Sequence, residues 1–317
     1  MGGSSDRNRS SVSSYYSTHD YSNVRSGDVE RIYSPSIKPD MDPAQTKLPR
    51  EARDSSGCPN SVPVMICFDN TGSMDDILTA LVTDYMRRIA VEVPESVSYD
   101  PQLLFSSIND IRASCSTPLQ IGQFEADFNQ MIVQIKSLYI QGNGGGNDSE
   151  SYIIPQYFVA HHVEFDSLEK RGKKGILFVI GDDGPTPDLT QHEREVTFGK
   201  NDLGIPGRLT KDDVLDMAEK KFHVYQIIVH GYAYCPWVRR QWKNLLKGHA
   251  LDLDREQYIP ELIKAVLRMY DGKTKTEVLE MIDDSKARDA VAKAMEDHEE
   301  IVEAEKWLDA AKGIEEF

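Results

Sequence analysis

The stretch "CFDNTGSMDD", from Cys67 to Asp76, follows the apolar run "VPVMI" at Val62–Ile66. That run has no polar alternation, as expected of a strand covered on both faces. After Met74, the residues Ile77, Leu81, Tyr85 and Ile89 fall at helical spacing, and Pro94 is expected to end the helix. The strand-to-helix junction therefore carries Asp69, Thr71 and Ser73, three short oxygen-bearing side chains, with Gly72 easing the turn between the hydroxyls. Such a set can cap a helix, hold a metal or activate a nucleophile. All three uses are open at this point.

Working outward, the pattern repeats. "PQLLFSSINDI" and "PLQIGQF" read as strands, and "FEADFNQMIVQIKSLYI" as a helix closed by "QGNGGGNDSES". "YIIPQYFVAHHV" reads as a helix with Pro155 in its first turn, where the missing N–H does little harm, and as one lying on the surface. "GILFVIGDD" is the clearest strand. It is followed by "TKDDVLDMAEKKF" (helix, N-cap Thr210), "HVYQIIVHG" (strand), "HALDLD" (edge strand) and "YIPELIKAVLRMY" (helix before Gly272). Strands alternating with helices across residues 62–272 predict an α/β fold, a doubly wound and mostly parallel sheet with helices on both faces. In that architecture ligands bind at the carboxyl ends of the strands, where "DNTGS" and "GDDGP" fall.

The flanks differ. Residues 1–60 form a Ser/Tyr-rich arm, with eleven Ser and four Tyr in the first forty residues and no apolar period. An arm that buries so little is expected to be disordered or extended, or to order on a partner or a second copy. Residues 273–317 hold 14 acidic and 7 basic residues. Val278, Ile282, Ala287, Val291, Ala294, Ile301, Leu308 and Ala311 recur there at intervals of roughly three or four, which predicts a helical tail that caps the domain or binds a partner.

The 317-residue chain has a formal net charge of −16, which disfavours nucleic acid and anionic membrane surfaces as partners. No apolar run reaches the roughly 18–20 residues that span a bilayer, and the N-terminus lacks a signal-like apolar segment. Cys58, Cys67, Cys115 and Cys235 show no CxxC pairing, so a reduced, cytosolic protein without structural zinc is expected.

"DNTGSM" resembles the first metal motif of von Willebrand factor A domains, the Asp-x-Ser-x-Ser signature of the metal-ion-dependent adhesion site, with Thr71 in place of the first Ser. "GGGNDSES" is similar to the version of the second motif that carries a Glu, and "FVIGDD" matches the third motif at Asp182. The resemblance covers about residues 62–272 and is strongest to the bacterial and phage cytosolic branch. It implies a doubly wound sheet with one antiparallel edge strand. It further implies a divalent cation, Mg²⁺ or Mn²⁺, held by Asp69, Thr71, Ser73, Glu150 and Asp182, with one position open for a partner's Asp or Glu. It implies no bond chemistry, hence no enzyme, and a protein partner that in many members is an AAA+ ATPase of the MoxR type. Integrin beta chains of the same family hold a second cation beside the first; Asp110 and Asn147 are the candidates here, against a plain loop-ordering role.

Other chemistries lack support. There is no Gly-x-Ser-x-Gly elbow, and the glycines at 142–146 have no following "GK[ST]". "HHVE" at 161–164 lacks metalloprotease spacing, and "DLDRE" at 252–256 lacks the glycine of an EF-hand loop. His223 and His230 flank a strand and read as structural; Trp237 and Trp242 read as packing a helix onto the sheet. Two further functions stay in view: a structural subunit of a large assembly that contacts its neighbours through arm and tail, and, more remote, a metal-dependent hydrolase, for which no convincing general base is present.

Overall fold

The computed structural model describes residues 4–19, 21, 24, 29–113, 117–141, 149–231 and 234–298. Six strands form the central sheet: β1 Ser61–Asp69, β2 Asp100–Ile108, β3 Leu119–Ile121, β4 Gly175–Gly181, β5 Phe222–Val229 and β6 Ala250–Leu253. Their order is β6-β5-β4-β1-β2-β3. Every pairing is parallel except β2 with β3, so the sheet is mostly parallel with one antiparallel edge. The main helices are α1 Ser4–Thr18, α2 Asp75–Ala80, α3 Met86–Ser96, α4 Phe128–Ser137, α5 Ile153–His161, α6 Gln191–Phe198, α7 Lys211–Ala218, α8 Pro236–Leu246, α9 Ile259–Tyr270, α10 Lys275–Glu280 and α11 Ser285–Ala294.

The unbroken apolar run of β1 makes sense once both faces are covered. All nine of its residues are buried. Val62, Val64, Ile66 and Phe68 join one core with Ile77 and Leu78 of α2, Met131 of α4 and Leu262 and Val266 of α9. Met65 and Cys67 point the other way, into a second core with Tyr157 and Phe158 of α5, Val214 of α7 and Trp242 of α8. Alternate residues thus feed opposite layers, the two-sided burial that a doubly wound sheet requires.

The register puts three acidic strand ends on one edge. Asp69 pairs with Ile108, so Asp110 lies two residues past the same level on β2. Phe68 pairs with Ile180, so Asp182 follows at the end of β4.

Four features differ from the sequence-based expectation. The arm is not free at its start: α1 is a helix docked on α3 and α4. Asn8, almost fully buried, donates to Ala90 O and Ala126 O and accepts from Phe128 N–H. From Ser34 to Pro49 the arm has no regular structure, and Arg50–Ala52 then pairs in parallel with Val163–Phe165. Pro94 does not end its helix, which runs to Ser96 with the proline inside. The helix carrying "HHVE" is not a surface helix: α5 buries every residue from Ile153 to Ala160. His162, just past it, is buried against Phe198 with ring centroids 4.7 Å apart, and burial pushes its imidazole down to about 4. Finally, α6 is a helix that the apolar pattern does not announce.

The acidic tail caps the domain as far as it is described. Val278, Ile282, Val291 and Met295 bury in the α9 side of the core. Ile301, Leu308, Ala311, Cys115 and Asn147 lie outside the described residues. Cys67 and Cys235 are free thiols. Among the described residues no helix is long and apolar enough to cross a membrane.

Candidate metal centre

Asp69 closes β1, and the chain turns at once. Asp69 Oδ1 accepts from the Thr71 amide at 2.8 Å, which fixes the turn and aims both hydroxyls inward. Thr71 Oγ1 and Ser73 Oγ are 3.2 Å apart, and Ser73 Oγ donates to Asp182 Oδ1 at 3.2 Å. Neither hydroxyl caps the helix that follows: the short turn at Gly72–Met74 and α2 have no side-chain cap. The capping alternative therefore does not describe this junction. A linked chain, Asp69–Thr71–Ser73–Asp182, joins the ends of β1 and β4.

Glu150 reaches the loop after β4 from the segment that precedes α5. Its amide donates to Gly184 O at 2.9 Å and its carbonyl accepts from Thr186 N–H at 3.0 Å, which clamps it beside the loop after β4. The carboxylate is buried, and Oε2 has no hydrogen-bond donor among the described residues. Burial, then the charges of Asp69, Asp110, Asp183 and Asp182, hold this carboxyl far above the usual carboxylate range. Asp69 is raised as well, chiefly by burial, against the lowering effect of its hydrogen bonds. Among the described residues no three His, Cys, Asp or Glu side chains gather around one point at metal-binding distance. Asp69, Asp182 and Glu150 are thus neighbours without being a closed carboxylate cage, and two of the five candidate donors are hydroxyls.

The residues after Glu150 were not singled out in the sequence, yet they organise the site. Tyr152 is fully buried; its hydroxyl donates to Asp69 Oδ2 at 2.5 Å and lies 3.4 Å from the Asp183 amide. Ser151 Oγ donates to Asp110 Oδ1 at 3.0 Å and accepts from the Ile111 amide. Three consecutive residues, Glu150, Ser151 and Tyr152, therefore tie together the loops after β1, β2 and β4. Asp110 Oδ1 also accepts from the Arg112 amide, which orders the loop after β2. Asn147, its proposed companion, lies outside the described residues.

Two glycines make room. A Cβ at Gly181 would sit 2.3 Å from the Tyr152 hydroxyl oxygen, and one at Gly231 would sit 2.3 Å from Asp182 Oδ2. Trp242 braces the floor: its Nε1–H donates to Asp183 O at 2.9 Å, and its ring lies 5.9 Å from that of Tyr152. The spacing of Tyr152 two residues after Glu150 was the one available signal; a tyrosine gives no sign in sequence of which carboxylate it will meet.

The chain matches no described protein family, and it matches no curated protein. Among solved structures it is similar to proximal thread matrix protein 1 (PTMP1) from the mussel byssus, at 12% identity and a TM-score of 0.42, over 66% of this chain and 48% of that one. It is also similar to the pilus adhesin SpaC from Lactobacillus rhamnosus GG, at 10% identity and a TM-score of 0.41, over 72% of this chain and 31% of that one. The chain spans about half the length of the first and about a third of the second.

Proposed function

We propose that this protein is a metal-dependent protein-binding module of the von Willebrand factor A type. Asp69, Thr71, Ser73, Glu150 and Asp182 would hold one hard divalent cation, Mg²⁺ or Mn²⁺. The observation that carries the proposal is the linked Asp69–Thr71–Ser73–Asp182 chain together with a buried Glu150 oxygen, near enough to feel the Asp69 and Asp182 charges, that has no donor among the described residues. Buried polar atoms normally have partners, and clustered carboxylates repel unless a proton or a cation separates them. Oxygen donors of mixed charge suit Mg²⁺ or Mn²⁺, and nothing in the set is soft enough to favour zinc or copper.

When bound, the cation supplies an electrophilic position for a partner's Asp or Glu. The chain's own residues do the rest. Tyr152 and the Thr71 amide hold Asp69 in one orientation, Ser73 reaches Asp182, and Trp242 and Gly231 fix the loops behind. The module does no bond chemistry on this reading. Its natural setting is the cytosol, with an acidic-residue partner such as an AAA+ ATPase subunit of the MoxR type.

The alternative, a structural subunit that contacts neighbours through arm and tail, is less well supported. In the described parts of both flanks most apolar residues, Val12, Ile32, Val278, Ile282 and Val291 among them, bury on their own domain, while Met281 is exposed. A pull-down from the native host tests the proposal. Proteins that co-purify in Mg²⁺ and are lost both in EDTA and with Ser73→Ala support it. Partners retained equally in all three conditions contradict it.

A further inference from the structure

The helix that leaves the candidate site is defective in two places, and the arm meets each defect with a side-chain donor. The first is Pro94. A proline has no N–H, so the carbonyl four residues earlier, Ala90 O, loses its helical donor. Asn8 Nδ2 donates to that oxygen at 3.1 Å. The second is a π-helical turn at Leu81–Tyr85, between α2 and α3, where the Met86 amide reaches back five residues to Leu81 O. A helix that returns from five-residue to four-residue spacing skips a carbonyl. Val82, next after Leu81, has its carbonyl taken by the Tyr16 hydroxyl at 2.6 Å. One turn earlier, Leu78 O accepts from the Tyr33 hydroxyl at 2.6 Å.

The match is directional. Asn8 meets Ala90 while Tyr16, eight residues later, meets Val82, eight residues earlier, so α1 lies antiparallel to the site helix with donors in register. Arg9 pairs with Glu95 at the same end. The sequence of α1, "SSDRNRSSVSSYYST", is rich in serine and weak in helix formers, so the helix draws its order from this docking.

We propose that the N-terminal arm is a regulatory strap that sets the candidate metal site by holding the π-turn. The site hydroxyls sit at the far end of the same helix: Ser73 is two residues before α2, and α2 runs directly into the π-turn. Relaxing a π-turn to α geometry removes one residue of offset, a shift of about 1.5 Å with a rotation of about 100° between the two helix segments. The Thr71–Ser73–Asp182 chain, with links of 3.2 Å, does not survive a displacement of that size. A docked arm therefore keeps the hydroxyls aimed at Asp182, and a released arm lets them go. Linkage makes the effect reciprocal, so a cation at the site must tighten the arm. This consequence for the cation rests on the metal-dependent reading above; the coupling of arm to helix does not.

The test uses the full chain as wild type, Tyr16→Phe and Asn8→Ala. Amide hydrogen exchange is followed over residues 69–96 without metal, and Mg²⁺ affinity is then measured by calorimetry. Tyr16→Phe removes one oxygen from a half-buried side chain and leaves the core intact, so folding is not at stake. The expected result is faster exchange in both variants across Val82–Met86 and into Thr71–Asp75. Mg²⁺ affinity should fall about three- to tenfold, the scale of one net hydrogen bond. In the wild type, Mg²⁺ should slow exchange in α1. If exchange rises only within residues 4–18 and the 69–86 region is unchanged, the strap is overturned. If the 69–86 region responds but the wild type binds no Mg²⁺, the strap stands and the metal-dependent reading falls.

Discussion

At the scale of single residues, two carboxyls of the candidate site, Asp69 and Glu150, are buried in a way that disfavours their charged form. Asp69 and Glu150 both bind protons more tightly in the fold than an exposed carboxylate does, mainly because they are buried. A carboxyl raised by folding lends stability while it is protonated in the fold, that is, fully below its unfolded pKa. That contribution is lost as pH rises through the folded value. Metal-free stability should therefore fall as pH climbs from the acid range through neutrality. Asp69→Asn should raise the metal-free melting temperature at pH 8 and leave it nearly unchanged at pH 4, where the proton already plays this part. Thermal melts of both proteins in EDTA at the two pH values check this; an equal effect at both would mean that the Asp69 charge is not strained. Glu150 gives a second prediction. Glu150→Thr should weaken Mg²⁺ binding and keep some at high Mg²⁺, and Glu150→Ala should weaken it further because no oxygen remains. Calorimetric titration of the three proteins decides it, and equal affinities would place Glu150 outside the ion's reach.

At the scale of elements, what could be read in the sequence was what apolar burial writes there. β1, β2, β4 and β5 were legible because nearly every residue in them is buried, and their acidic ends because Asp69 and Asp182 directly follow apolar runs. Helix α6 was not, since the residues it buries are Glu193, Arg194, Thr197 and Phe198, three of them polar. Its capping box, Thr190 with Glu193, was the signal to use. The docking of α1 was hidden for a related reason: it rests on the polar side chain of Asn8, on the Tyr16 hydroxyl and on a short Val12, Tyr15, Tyr16 face set among serines, too brief to announce a helix. Tyr152 escaped notice because its partner, Asp69, is distant in sequence. The arm therefore carries its own prediction. Asn8→Ala removes three hydrogen bonds and leaves Ala90 O, Ala126 O and the Phe128 amide to find water, weakening arm docking by about 1–3 kcal/mol. Limited proteolysis should cut residues 4–18 slowly in the wild type and at least several-fold faster in the variant; equal rates would show that Asn8 does not hold the arm.

At the scale of the molecule, the sheet brings three loops to one edge, and α1 and the tail both pack on one of its two cores. The tail is part of this closure. Val278, Ile282, Val291 and Met295 are buried, and Lys293 pairs with Asp254 just past β6. Ending the chain at residue 272 should expose the α9 surface they cover and lower the melting temperature by several degrees, since burying each such side chain contributes about 1.5–3 kcal/mol. A truncated chain that melts with the full one would make the tail a separate appendage.

The central claim is that a divalent cation sits where β1 and β4 end. Titrating Mg²⁺ into the full metal-free chain by calorimetry, beside Ser73→Ala and Asp182→Asn, tests it most directly. One ion per chain is expected in the wild type, with affinity reduced at least tenfold in each variant. A wild type that takes up no ion, or variants that bind it as tightly, would contradict it.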